Sequence, residues 1–544
     1  MLRVKEDWQG LFEGEGGIAE LSQALPTILQ TRRWFGGKAL RIAKVEIADS
    51  IVILSHPAVR MLILRVIYES ADMESYTLPL GAAFGEEADR IRRDSPHAVL
   101  APIMVRKCEH DVPGILYDAL WNPDVALSLL DAIGQSSRFP GTAGSIAATS
   151  TNTFTELVPS RMELEPVLMK TEQSNTSIAY SGRVILKLYR RIAEGVNPDL
   201  EIGRALTYRQ FPYVPCIAGY LEYHDRFRRS APLAVLQKFV ANEGDAWKRG
   251  LEEFERFIDR LETAHLWKSQ PPAFPSHPFD LAQAPYSPPP GHLIGPFLES
   301  VRRLGNRTAQ LHVALSQIVD DPDFAPEPLT RDSRRRRYQT MVENLTDTLS
   351  LVKERMQLLP ENGQALAEIL IALQSDLDQM FSAFENIETA ISLIRCQGDY
   401  HLGQVLCVKD DFMIIDFEGE PAQSLAERRM KQPAFVDVAG MTRSFQYVPF
   451  VVLKGKGAQW SPWAAFWSGW TSAAFLQGYL ELASGSSFCP RNSESARVLF
   501  DAYLIKKALY ELRYELNNRP DWVEIPLHGL VNIIRPADQR QQPS

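Results

Sequence analysis

The sequence predicts an α+β protein, and three observations carry that prediction. Short apolar strands dominate the chain up to about residue 245, a proline-rich break follows, and long helical periodicities fill the remainder. Strands gathered in one part of a chain and helices in another mark α+β architecture rather than alternating βα units. The runs KVEIADSIVIL and RMLILRVIY, set between Gly- and Pro-containing breaks, predict a strand-rich cap over residues 1–95. Further strand-like runs, AVLAPIMV, RVILKLYRR and APLAVLQKFV, predict a second region over 96–243. That region holds one helix with clear start signals. In NPDLEIGRALTYRQF, Asn197 serves as N-cap, Pro198 suits the first helical position and Asp199 complements the helix dipole.

Eight prolines between residues 270 and 290 exclude continuous helix or central strand there and predict a surface excursion. The rest of 244–544 is predicted mainly helical. QALAEILIALQSDLDQMFSAFENIETAISLI reads as one long helical periodicity, and WSPWAAFWSGWTSAAFLQGYL and ESARVLFDAYLIKKALYELRYEL as two more. RDSRRRRY at 331–338 reads as a solvated charge run.

The 544 residues correspond to about two to four domains. With 45% hydrophobic and 23% charged residues, the chain has ordinary globular composition. A net charge of −9 offers no general attraction to nucleic acid or anionic lipid, so neither is an expected partner. The five cysteines, Cys108, Cys216, Cys396, Cys407 and Cys489, are odd in number and never in C-x-x-C spacing, which signals neither a disulfide framework nor a zinc knuckle. No signal peptide or uninterrupted spanning segment is read, and a cytoplasmic protein is expected.

The chemistry concentrates in CQGDYHLGQVLCVKDDFMIIDFEGEP, residues 396–421. Phosphoryl transfer needs a carboxylate to orient the attacking hydroxyl and accept its proton, plus oxygen ligands for magnesium on the nucleotide phosphates. Asp399 and Gln404 stand five positions apart, the separation a kinase catalytic loop uses between its base and its metal-binding amide. Two short strands, VLCV and FMII, then form a hairpin across KDD, and the second delivers Asp416, followed by Phe417 and Glu418, where a metal ligand is needed. An Asp in a turn is ordinarily only a turn residue. The order of loop, five-residue step, hairpin and terminal Asp is what points to a two-lobed protein-kinase-like fold.

Such a fold also requires a strand lysine and a helix-borne acid. RVILKLYRR supplies Lys187 for the nucleotide phosphates, and the capped helix supplies Glu201 as its partner. A solvated edge lysine and a dipole-favoured glutamate are the bland readings, and the order of all the members along the chain argues against them. Ahead of the strand, EQSNTSIAYSGR lacks a Gly-rich loop, but Ser174, Asn175, Thr176 and Ser177 are candidate donors to phosphate; an ordinary turn fits them equally. No G-x-x-x-x-G-K-[ST] is present, which argues against a P-loop NTPase.

Taken with RRWFGGK at 32–38, EQSNTS at 172–177, VILKLYRR with NPDLE to 201, GDYHLGQVL at 398–406, IDFEGEP at 415–421, AERR with DVAGMTRSF at 426–445, and YELRYELNNRPDWVEIPLHGL at 510–530, the chain resembles the bacterial maltokinases. These are ATP:maltose 1-phosphotransferases related to aminoglycoside and choline kinases and often fused to or encoded with trehalose synthase. The resemblance implies a kinase-like fold with an extra N-terminal cap, ATP with Mg²⁺, maltose as acceptor, and trehalose synthase as a candidate partner. It makes Asp399 the base, Gln404 and Asp416 the magnesium ligands, Lys187 the phosphate-binding lysine and Glu201 its partner. Gln397 stands where the family motif carries His; Gln404 differs from the Asn of kinases at large and agrees with the family.

Maltose is uncharged, so its site must combine hydrogen bonds with apolar ring faces. Tyr510 with Tyr514, and Glu511 with Glu515, are each four apart and share a helix face, with Asn518 just beyond. The resemblance implies that these five line the acceptor side. One core tyrosine pair and one salt-bridged carboxylate face is the alternative. His401 is a further acceptor contact or else a structural hydrogen-bonding residue. Trp460, Trp463, Trp467 and Trp470 form a stripe read as core packing. Whether the residues of RRWFGGK touch substrate or hold the cap is left open. So are two other functions: a kinase of another sugar, amino sugar or aminoglycoside, and a non-catalytic kinase-like module that binds trehalose synthase or α-glucan.

Overall fold

The computed structural model describes residues 2–107, 110–159, 164–169, 175–272, 277–283 and 292–534. Contacts cluster into two compact units, one of residues up to Gln210 with Pro215–Ala241, the other of Phe211–Val214 with the residues from Asn242 on. No helix among the described residues is long and apolar enough to cross a membrane.

The first unit contains β1 (Leu2–Lys5), α1 (Gly14–Gln30), β2 (Ile42–Ser55), β3 (Ala58–Tyr68), β4 (Met73–Phe84), α2 (Gly85–Asp94), β5 (Val99–Lys107), β6 (His110–Asp118), α3 (Pro123–Gly134), β7 (Arg138–Pro140), β8 (Gly144–Ser150) and α4 (Phe154–Leu157). It continues with β9 (Pro166–Leu168), β10 (Asn175–Tyr180), β11 (Val184–Tyr189), β12 (Arg191–Ile192), α5 (Pro198–Tyr208), β13 (Ile217–Asp225) and β14 (Ser230–Lys238). Two sheets result, ordered β1-β5-β6-β4-β3-β2 with β12 on β4, and β7-β8-β13-β14-β11-β10-β9. The β1–β5 pair is parallel and the other pairings are antiparallel. Apolar side chains of both sheets and of α3 share one core, from Ile51 and Met61 to Leu186 and Leu236. The other face of the first sheet packs on α1 through Leu21, Leu25 and Leu29.

The RRWFGGK motif holds this cap together. Phe35 is buried against Tyr76 at 5.0 Å, and the Trp34 ring faces the Arg190 guanidinium at 4.9 Å. Thr77 of β4 receives the end of β11, donating its hydroxyl to Tyr189 O at 2.7 Å and its N–H to Arg190 O at 2.8 Å. The cap is thereby fastened to the strand that carries Lys187.

The second unit is mainly helical: α6 (Ala246–Thr263), α7 (Pro278–Gln283), α8 (Phe297–Ser316), α9 (Arg331–Arg355), α10 (Glu361–Ala372), α11 (Gln374–Asn386), α12 (Leu425–Arg428), α13 (Phe435–Leu453), α14 (Ser461–Ala483), α15 (Ser493–Asn518) and α16 (Glu524–Ile534). Two small antiparallel pairs accompany them, β15 (Glu327–Pro328) with β16 (Ser392–Leu393) and β17 (Val405–Val408) with β18 (Asp411–Ile414). Helices α8 and α14 approach so closely that a Cβ on Gly478 would stand 1.9 Å from the Arg302 carbonyl oxygen, which only glycine tolerates. The tryptophan stripe is core: Trp467 stacks on Phe297 at 5.7 Å and meets Phe254 edge-on at 5.2 Å.

Three expectations are corrected. The long periodicity from Gln364 to Ile394 breaks into α10 and α11 and then leaves the helix, because Ile387, Thr389 and Ile391 are β-branched and lead into β16. The arginine run opens α9 and is only partly solvated, since half-buried Arg337 donates to Gln432 Oε1 at 2.5 Å and to Lys431 O at 3.0 Å. Within the proline-rich stretch, the described residues form docked structure rather than an excursion. Phe279 packs on Phe500 at 5.4 Å, and His277 Nε2 meets Asp501 Oδ1 at 2.8 Å.

Candidate active site

The segment from Cys396 to Gln404 is held from behind by the first turn of α13. Asp437 is fully buried, and its carboxylate accepts the Gln397 N–H at 2.8 Å and the Gly398 N–H at 3.0 Å. His312 of α8, equally buried, meets Asp437 Oδ2 through Nε2 at 2.9 Å and the Tyr479 hydroxyl through Nδ1 at 3.0 Å. Gly398 lies at φ 92°, a left-handed conformation that glycine adopts without penalty. The loop is pinned further along by Tyr400 OH on Thr308 Oγ1 at 3.0 Å and by the Leu402 N–H on Ser444 Oγ at 3.1 Å. A loop fixed at this many points presents its side chains with little freedom, as a preorganised site requires.

Asp399 projects from this loop beside a residue the sequence reading did not single out. Lys507, on α15, places Nζ 2.9 Å from Asp399 Oδ1 and 2.7 Å from Glu420 Oε1. Burial alone would raise the Asp399 carboxyl, but the charges of Lys507 and His401 and the Lys507 hydrogen bond outweigh it and hold it below the usual carboxylate range. Lys507 is held above the ordinary lysine value, its two carboxylate neighbours overriding its own burial. Burial pushes His401 down, and its Nδ1 accepts the Gly403 N–H at 3.1 Å, which places any ring proton of the neutral form on Nε2.

Gln397 occupies the position before Gly398 and bridges the loop to the end of β18. Its amide accepts the Asp399 N–H on Oε1 at 2.8 Å and donates from Nε2 to Ile415 O at 3.2 Å and Asp416 O at 2.5 Å. One side chain with both a donor and an acceptor therefore ties the loop to the end of β18. Asp416 follows that strand at φ 60°, sparsely populated for a residue with a side chain and a form of strain that collects at functional sites. Gln404 Nε2 donates to Asp416 Oδ2 at 3.1 Å. An amide and a carboxylate in contact, offering oxygen ligands, suit a hard divalent cation.

In the first unit, Lys187 sits on β11 opposite Ser177 of β10, with Asn175 opposite Tyr189. Its Nζ lies 3.4 Å from Asp199 Oδ2, which also accepts from the Tyr189 hydroxyl at 3.1 Å. Asp199, read from sequence only as a dipole partner, is thus an acid that meets Lys187; Glu201 lies two residues further along the same first turn of α5. Thr176 is buried, and its hydroxyl accepts from Arg190 Nε at 2.7 Å, with Arg190 also paired to Asp118. Ser174 lies outside the described residues.

On α15 the expected acceptor face divides. Tyr510 packs its ring against Lys507 at 4.7 Å, and burial followed by the charge of Glu420 pushes its hydroxyl up to about 12. Glu511 is held by Arg443 at 2.7 Å, and Glu515 is buried, paired to Arg519 at 2.8 Å and raised by that burial. Tyr514 is exposed, and Asn518 donates to the Tyr514 carbonyl at 2.9 Å. Both glutamates are thus ion-paired, as the salt-bridged alternative expected.

Residues 29–121 match the maltokinase N-terminal cap domain model. Among curated relatives, the glucosamine kinase of Streptacidiphilus jiangxiensis is 26% identical over 238 residues, 43% of this chain and 48% of that protein. The glucosamine kinase of Mycolicibacterium smegmatis is 22% identical over 331 residues, 61% of this chain and 69% of its own. The match thus spans about half the length of the first of these relatives. Among solved structures, glucosamine kinase in complex with glucosamine, ADP and inorganic phosphate superposes with a TM-score of 0.59 at 17% identity, covering 93% of this chain and 98% of that one. A second crystal form of glucosamine kinase gives 0.59, 17%, 94% and 97%.

The glucosamine kinase structures share this chain's fold. The maltokinase-type cap match is confined to residues 29–121, and the similarity to glucosamine kinases extends beyond it.

Proposed function

We propose that the chain is an ATP-dependent maltokinase that transfers the γ-phosphoryl group to the anomeric hydroxyl of maltose, giving maltose 1-phosphate for α-glucan, glycogen and trehalose metabolism in the cytoplasm. The observation that carries this reading is the loop geometry around Asp399, in a chain whose residues 29–121 match a maltokinase cap. Asp399 orients the acceptor hydroxyl and takes its proton as the bond to phosphorus forms. Its depressed pKa suits this role, because in a loose transition state the hydroxyl gives up its proton late and a strong base is not needed. Lys187, met by Asp199 of α5, binds the nucleotide phosphates together with donors from β10, of which Asn175 and Ser177 are candidates; Ser174, outside the described residues, is a further candidate from the sequence. Glu201 is proposed as the second acid for Lys187.

Gln404 and Asp416 would hold Mg²⁺, which when bound neutralises charge on the transferring phosphoryl group. Gln397 keeps these ligands in register with Asp399. His401 and Tyr510, beside Asp399 and Lys507, are proposed to contact the sugar, with Tyr514 offering an exposed ring. Trehalose synthase is proposed as a partner.

A second reading, phosphorylation of an amino sugar, is favoured by the glucosamine kinase relatives. Release of ADP measured over a panel of maltose, glucose, glucosamine and an aminoglycoside separates the two. Maltose-dependent release is expected, and turnover of glucosamine without maltose would defeat the maltokinase reading.

A further inference from the structure

We propose that Lys507 sets acceptor specificity: from within the chain its ammonium fills the place between Asp399 and Glu420 that a cationic acceptor would occupy, so the site takes neutral sugars and rejects amino sugars. The inference rests on the kinase reading above, with Asp399 at the acceptor hydroxyl.

The Nζ atom sits between the two carboxylates, 2.9 Å from one and 2.7 Å from the other. The second Glu420 oxygen accepts from Gln423 Nε2 at 2.7 Å, so that carboxylate is satisfied on both sides by the protein. The neighbouring acids of α15 are neutralised as well, Glu511 by Arg443 and Glu515 by Arg519. Half-buried Lys506 precedes Lys507, and its charge acts on Lys507's surroundings too. The Tyr510 ring closes over Lys507 at 4.7 Å. A sugar ammonium brought to Asp399 would therefore meet a fixed cation at close range and carboxylates whose charge is already compensated, an arrangement that discriminates by repulsion. A neutral sugar meets the same groups as hydrogen-bond partners, since the Lys507 ammonium has three donors and the carboxylates spend two of them.

The test uses the full chain with ADP present. Glucose, maltose and glucosamine are titrated calorimetrically into the unaltered protein, into Lys507→Met and into Lys507→Arg, and ADP release is measured with the same sugars and ATP. Below the titration of its amine, glucosamine should bind the unaltered protein about tenfold or more weaker than glucose, and the gap should close as the pH rises and the amine loses its proton. Lys507→Met should move the glucosamine-to-glucose affinity ratio by about tenfold or more toward glucosamine, while Lys507→Arg should keep the original preference.

Equal binding of the two sugars to the unaltered protein at low pH, a ratio unmoved in Lys507→Met, or no binding of either neutral sugar would each overturn the assignment. If thermal melting shows Lys507→Met unfolded, the pH dependence of the unaltered protein's preference decides alone. Neutral sugars that bind but release no ADP would defeat the kinase reading while leaving the role of Lys507 standing.

Discussion

Gln397 donates its side-chain amide to the backbone carbonyl of Asp416 at 2.5 Å while accepting the Asp399 N–H at 2.8 Å, so one buried residue sets the spacing between Asp399, the proposed base, and the end of β18. Gln397→Leu leaves these groups without partners in the interior, at about 1–3 kcal/mol for each one orphaned. A lower melting temperature and reduced kcat are expected together. Gln397→His restores a ring with one donor and one acceptor and should recover most of both. Equal losses in the two variants would show that the bridge is not what Gln397 contributes.

Asp399→Asn keeps the size of the side chain and removes the proton acceptor. The fold should persist by circular dichroism, and kcat should fall on the order of 10²–10⁴-fold. Turnover close to that of the unaltered protein would take Asp399 out of the reaction.

Lys187→Met should raise KM for ATP more than KM for the sugar, because the lost charge is the one proposed to bind phosphate. Asp199→Asn should act in the same direction and more weakly, since it removes the group that meets Lys187 at 3.4 Å rather than the cation itself. An unchanged KM for ATP in Lys187→Met would contradict the assignment.

Acid should destabilise the second unit in two stages. His401 has a folded pKa below its unfolded value, so the unfolded chain takes up the proton first and stability falls as pH drops below about 6.5. Asp399 is also depressed, so its contribution is complete above the unfolded value of about 3.9 and is lost as pH falls through the lower folded one. Denaturant unfolding from pH 8 to pH 3 should show both stages, and His401→Asn should abolish the upper one only.

Within the second unit, the contacts among Asp399, Gln404 and Asp416 were foreshadowed by the five-residue step and by the place of Asp416 after β18; in the first unit, Lys187 was picked out by its strand. Lys507 and Asp437 were not, because each lies on a helix whose periodicity reads as packing and reaches the loop only through tertiary contact. The ion pairs of the α15 glutamates were hidden for a similar reason. Their shared face is real, but Arg443 lies 68 residues before Glu511, and no local pattern announces that pair. Asp199 was visible as a helix-start residue, and only the packing of α5 beside β11 reveals that it meets Lys187.

The central claim is phosphoryl transfer from ATP to the anomeric oxygen of a neutral sugar. A phosphorus NMR spectrum of the purified chain with ATP, Mg²⁺ and maltose tests it most directly. A new phosphomonoester resonance correlated with the sugar H1, growing with ADP and absent in Asp399→Asn, is the expected result. ATP left intact, or consumed equally with and without sugar, would contradict it.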